Sequence, residues 1–220
     1  MIYVTLNTVS ELLCFLVGLF CLANDKQAIW KLLVVYLLFT LLVEVGGIHL
    51  RRVMHTSNVM LYNFALIMEC LTVSIVFYQF YRNHKNKMAG LIIWLAVFFV
   101  CYFLELLSSG FKNFVFKTTS FMSIVFVLAS MYYYYLILKD EEFRELKSYA
   151  PFWWVSGTLF FYFGSTACNV FYDYFMGDRT QLSGLVRYWI FCFLDIILYG
   201  CWSYSFICRY KQRTSRRSSF

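Results

Sequence analysis

The sequence predicts an all-α integral membrane protein, a seven-transmembrane-helix bundle with its N-terminus outside and its C-terminus in the cytoplasm. Three observations predict it. The 220-residue chain is 61% hydrophobic and only 14% charged, with a single proline, whereas soluble domains are roughly half apolar and a quarter charged. The apolar residues fall into seven runs of about twenty residues, the length a helix needs to cross ~30 Å of hydrocarbon. The basic residues gather at alternate ends of those runs, as insertion topology requires.

Taken in order, the first span runs from about Tyr3 to Ala23 and ends at Asn24-Asp25-Lys26-Gln27. The second covers about Trp30 to Leu50 and ends at Arg51-Arg52, and the third covers Asn58 to Tyr81, followed by Arg82, His84, Lys85 and Lys87. The fourth extends from about Met88 to Leu107 and stops at Ser108-Ser109-Gly110. The fifth occupies about Asn113 to Leu138, before a mixed-charge loop from Lys139 to Ala150. Pro151 opens the sixth, at a first-turn position where no amide donor is needed, and that span runs to about Tyr172. The seventh is Leu185 to Tyr210. Residues 1–210 thus make one transmembrane domain, and 211–220 a basic cytoplasmic tail.

Orientation follows from the Lys and Arg count. With the C-terminus inside, 13 of the 19 basic residues lie on the inner side and 6 on the outer, the latter being Arg51, Arg52, Lys112, Lys117, Arg179 and Arg187. The Arg51-Arg52 pair is the local exception to the rule. Topology accounts for the net charge of +7, so no nucleic-acid partner is expected. The N-terminus lacks a basic n-region and a small-residue cleavage site and carries Glu11, which argues against a cleavable signal. Trp30, Trp94, Trp153, Trp154, Trp189 and the run Tyr132 to Tyr135 fall near predicted span ends, as interfacial anchors do. The eight cysteines all sit in apolar runs without a Cys-x-x-Cys pair. They read as small core- or lipid-facing residues rather than a disulfide or metal framework.

The acids inside the spans carry the functional signal, because a carboxylate at membrane depth is costly. Glu11, Glu44, Glu69, Glu105 and Asp195 all fall in the outer half or middle of their spans. At helical spacing they join polar stripes: Asn7, Glu11, Cys14 and Gly18; Thr40, Glu44 and Gly47; Asn58, Tyr62, Ala65, Glu69 and Thr72; Arg187, Phe191, Asp195, Tyr199 and Trp202. Thr119, Ser123 and Ser130 give the fifth span a small polar face, while Gly157, Gly164 and Cys168 give the sixth a smooth one suited to close packing. The candidate ligand or ion pocket is therefore Glu11, Glu44, Glu69, Glu105, Asp195, Tyr62, Asn7 and Arg187. Paired structural acids are the competing reading, with His49, Arg51, Arg52 and Arg187 at the same level. Gly46-Gly47 suits either a local irregularity lining a cavity or close helix packing.

Composition leaves no room for a soluble catalytic domain, and the motifs of intramembrane enzymes are missing. Asp195 lies in Phe193-Leu194-Asp195-Ile196 rather than after Gly-x-Gly, and Gln181-Leu182-Ser183-Gly184 lacks the first glycine of a serine-protease motif. No lysine lies deep in the last span for a retinal, and only His49 approaches a span for a haem. No enzyme activity, cofactor or metal is expected. On the inner side, Phe143 and Leu146 lie three apart in a mixed-charge stretch, and Arg209, Lys211, Arg213, Arg216 and Arg217 form a purely basic end. Together they make a candidate partner surface, for a cytoplasmic or membrane protein or a second copy, beside the bilayer itself.

Pro151-Phe152-Trp153-Trp154-Val155-Ser156-Gly157-Thr158-Leu159-Phe160-Phe161-Tyr162 and Tyr62-Asn63-Phe64-Ala65-Leu66-Ile67-Met68-Glu69 resemble segments of short bacterial seven-helix proteins of unknown function. Such proteins tend to be encoded beside sensor kinases or response regulators. The resemblance implies a receptor-like signalling role in a bacterial cytoplasmic membrane, with a kinase or regulator as partner. The expected function is a membrane sensor whose outward-facing acidic pocket binds a small ligand or cation. The alternatives are a small transporter or channel using the acids as a proton or cation path, and a structural subunit of a membrane complex.

Overall fold

Seven α-helices and one short 3-10 turn account for the secondary structure of the described residues, and these include no strand. The computed structural model describes residues 5–82, 88–140, 145–175 and 181–218. The helices are α1 (Leu6–Leu22), α2 (Ala28–Arg52), α3 (Val59–Arg82), α4 (Met88–Ser108), α5 (Phe116–Lys139), α6 (Ala150–Phe175) and α7 (Gln181–Ser218), with the 3-10 turn at Leu146–Ser148 before α6. Helix α2, α3, α4, α5 and the Val186–Ser215 part of α7 are each long and apolar enough to cross a membrane. Their outer surfaces require one. On α4, Ile92, Ile93, Val100, Leu104 and Leu107 are all about three-fifths exposed, a surface that water would penalise at ~25 cal/mol per Å². The chain is an integral membrane protein.

Contacts divide the chain into two compact units, residues 1–122 and 123–220. In the first, α1 packs on α2, α2 on α3 and α3 on α4, a sequential antiparallel order set by short connections. Side chains begin and end these helices. Thr5 caps α1, its Oγ1 accepting the Thr8 amide at 3.1 Å. The buried Asp25 carboxylate accepts the Gln27 amide at 2.8 Å and shapes the turn into α2. Helix α4 ends in a Schellman motif: Phe111 N–H donates to Leu106 O, Gly110 N–H donates to Leu107 O, and Gly110 takes the left-handed φ of 58° at the position after the cap.

The second unit is built on α6 against α7. Glycines let the two helices approach: a Cβ added at Gly157 would lie 2.8 Å from the Cys201 Cβ and 3.1 Å from the Leu198 carbonyl. Trp154 and Trp202 stack beside this contact at 5.3 Å between ring centroids, and Trp202 Nε1 donates to Thr158 Oγ1 at 3.2 Å. Phe126 and Tyr134 of α5 add ring contacts to Tyr162 and Phe152 of α6.

The aromatic residues divide in a way the sequence reading does not anticipate. Trp189 is exposed, as an interfacial anchor should be, but Trp154 and Trp30 are buried core residues. Trp30 packs on Phe80 at 6.2 Å and donates its indole N–H to Gln27 at 3.1 Å. In the tyrosine run, Tyr132 and Tyr135 are exposed and stacked on each other, whereas Tyr133 is buried. The Gln27 partner lets the Trp30 indole N–H be buried without losing a hydrogen bond.

Candidate functional site

Two acidic residues of the first unit, Glu11 of α1 and Glu44 of α2, come near Tyr62 of α3. On α1 the predicted stripe is the buried one: Glu11, Cys14 and Gly18 face inward together with Leu22. Glu11 is 6% exposed. On α2, Glu44 lies one turn before the buried Gly47. On α3, Tyr62 donates its hydroxyl to Glu44 Oε2 at 3.1 Å. Glu11 and Arg51 both lie within electrostatic reach of that hydroxyl, the carboxylate and the guanidinium acting on it in opposite senses. Asn7, on the face of α1 that carries Glu11, has a buried Oδ1 that accepts no hydrogen bond among the described residues.

Gly47 sets the geometry of this cluster. The Tyr62 phenol lies against the α2 backbone so closely that a Cβ at position 47 would be 2.5 Å from its oxygen and 2.9 Å from Cζ. The Asn58 side-chain amide adds a long contact, 3.4 Å, to the Gly47 carbonyl. Between the two sequence readings of Gly46-Gly47, close packing holds: α2 continues unbroken through both.

Glu105 does something else. Its Oε1 accepts the Lys117 amide at 2.9 Å, and its Oε2 accepts the Thr118 amide and the Thr118 hydroxyl, each at 2.7 Å. The carboxylate caps the N-terminus of α5 from the end of α4, satisfying amides that have no partner within the helix and placing negative charge at the positive end of the helix dipole. This is a structural use of one of the five acids.

Glu69 lies half-buried on α3, beside the stripe that packs inward. Its buried residues include Asn63, Leu66, Cys70, Val73, Phe77 and Phe80, one position round the helix from most of the polar stripe read from sequence, of which Thr72 is also buried. Asn63, missed there, is a central tie of the first unit. It donates to the Asn113 carbonyl at 3.2 Å and accepts the Val115 amide at 3.3 Å. Its own carbonyl accepts the Tyr102 hydroxyl at 3.1 Å. A second missed tie joins α4 to α3, where Trp94 Nε1 donates to Ser74 Oγ at 2.9 Å.

Asp195 and Arg187 belong to the second unit, both half-buried on α7. Arg187 donates to Asn169 Oδ1 of α6 at 3.3 Å and lies over the Phe191 ring at 5.5 Å. Two of the three hydroxyls of the fifth-span polar face turn back on carbonyls four residues earlier: Thr119 donates to Val115 O and Ser130 to Phe126 O, both at 2.8 Å. Such bonds satisfy a hydroxyl without creating a polar lining.

At the other end of α6 and α7, side chains fasten the linker. Ser205 Oγ donates to the Ala150 carbonyl at 2.7 Å, Gln212 Nε2 to the Ser148 carbonyl at 2.8 Å, and Trp153 Nε1 to the Lys147 carbonyl at 3.0 Å. Of the candidate partner surface, Leu146 is 39% exposed at the start of the 3-10 turn. Lys211 is exposed and Arg209 half-buried, while Arg213 lies over the Tyr210 ring at 5.4 Å. Phe143 and the side chains of Arg216 and Arg217 lie outside the described residues. Helix α7 itself continues past Tyr210 to Ser218, through most of the stretch read as a tail.

Among the described residues no three His, Cys, Asp or Glu side chains converge to hold a metal ion. No protein-family model matches the chain, and neither curated proteins nor solved structures give a match.

Proposed function

We propose that this protein is a seven-span membrane sensor of a bacterial cytoplasmic membrane, N-terminus outside, that binds a small cation or amine through the carboxylates of Glu11 and Glu44, in the pocket that Tyr62 borders, and passes its state to a partner at the cytoplasmic end. The observation that carries this reading is the pairing of Glu44 with Tyr62 beside Glu11, a polar cluster held within three apolar helices. Carboxylates at membrane depth are costly unless something positive compensates them, and a bound cation would do so. The continuity of α1, α2 and α3 supports sensing over transport, since transporters commonly break helices at their binding sites. At the cytoplasmic end, Leu146 and the basic turns of α7 would present the partner surface, the fastened linker keeping them in a fixed relation.

The test uses the full chain in lipid nanodiscs, melted in choline chloride and in sodium, potassium or methylammonium chloride. One of the small cations should raise the melting temperature in a saturable way, as mass action on a folded-state ligand requires. The rise should disappear in Glu44→Gln. Equal melting in all four salts would overturn the reading. Saturable, Glu44-dependent cation flux into vesicles would replace it with transport.

A further inference from the structure

We propose that Tyr62 is a built-in competitor for Glu44, and that Gly47 is the positioning residue that seats it; the binding part of this inference rests on the site reading above. The Tyr62 hydroxyl occupies a lone pair of Glu44 Oε2 at 3.1 Å, on the carboxylate that would coordinate a cation. Its placement is sterically defined. Glu44 and Gly47 lie three residues apart on one face of α2, and the phenol fills the space that any side chain at 47 would take, with 2.5 Å, 2.9 Å and 3.1 Å from the added Cβ to Oη, Cζ and Cε2. An ordinary Cβ contact begins near 3.4 Å, so an alanine there displaces the ring, and with it the hydroxyl. Ring displacement frees the carboxylate. A cation that takes Glu44 has to break the same hydrogen bond, which loosens the first turn of α3 from α2 and links occupancy to helix packing.

Two measurements decide this. The first is a stability cycle on wild type, Gly47→Ala, Tyr62→Ala and the double variant in nanodiscs. Gly47→Ala should lower the melting temperature clearly in wild type and barely in the Tyr62→Ala background. Equal losses in both backgrounds would overturn the notch. The second is the cation midpoint of the melting shift. Tyr62→Phe, which keeps the ring and removes the competing proton, should lower the midpoint about fivefold, the worth of one net hydrogen bond. Gly47→Ala should lower it similarly. An unchanged or raised midpoint in Tyr62→Phe would overturn the competition. A wild type that responds to no cation would overturn the site reading and the competition with it, while the stability cycle would still decide the notch.

Discussion

Glu105 and Asn63 show how polar side chains are used within the apolar first unit. Each satisfies backbone groups of the segment leading into α5. Glu105 takes three donors at Lys117 and Thr118, and Asn63 closes on Asn113 and Val115. Glu105→Ala removes the cap and should cost about 1–2 kcal/mol, read as a lower unfolding midpoint in detergent. Glu105→Gln keeps an acceptor oxygen and should lose less than the alanine variant. An alanine variant as stable as wild type would show that solvent caps α5 equally well. Of the acids singled out in the sequence, Glu11 and Glu44 fall in one cluster, whereas Glu105 is committed to a helix end. Depth along a span was legible because rise per residue is fixed. What each carboxylate touches was not, because the donors to Glu105 lie twelve and thirteen residues further on, across a turn whose path is a tertiary matter.

For helices, existence and approximate ends were readable from apolar runs, while faces were readable only in part. In water the buried stripe of a helix stands out by its hydropathy. In lipid the outward face is equally apolar, so the inward stripe of α3 is hidden among Phe64, Ile75 and Met60, which are exposed. Asn63 starts that stripe, and its spacing to Leu66, Cys70, Val73 and Phe77 was the available signal. Glycines sort better. Gly157, named from sequence for close packing, meets α7 tightly, whereas a Cβ at Gly200 has nothing within 4 Å. Gly157→Ala should therefore destabilise, since the Cys201 Cβ and a backbone carbonyl cannot both retreat. Gly200→Ala should be neutral or stabilising by up to ~1 kcal/mol from helix propensity. Paired melting curves check this, and a larger loss at 200 than at 157 would contradict the α6–α7 contact.

At the scale of the whole molecule the open prediction is orientation, and α7 makes it testable. Its 38 residues extend about 57 Å at ~1.5 Å each, nearly twice the ~30 Å of hydrocarbon. One end must stand clear of the apolar layer, and the stretch from Arg209 to Ser218, with five basic residues and no acid, is the end suited to do so. Helix α6 runs antiparallel to it, because Ala150 meets Ser205 at one end and Asn169 meets Arg187 at the other. The linker at Lys147 and Ser148, fastened to Cys208 and Gln212, therefore shares a side with the basic end. The basic residues of that side are the ground for predicting that it faces the cytoplasm. A fluorescent protein fused after Phe220 should accordingly glow, and alkaline phosphatase inserted between α6 and α7, within residues 176–180, should be active outside. An active phosphatase after Phe220, with a silent one between α6 and α7, would reverse the orientation.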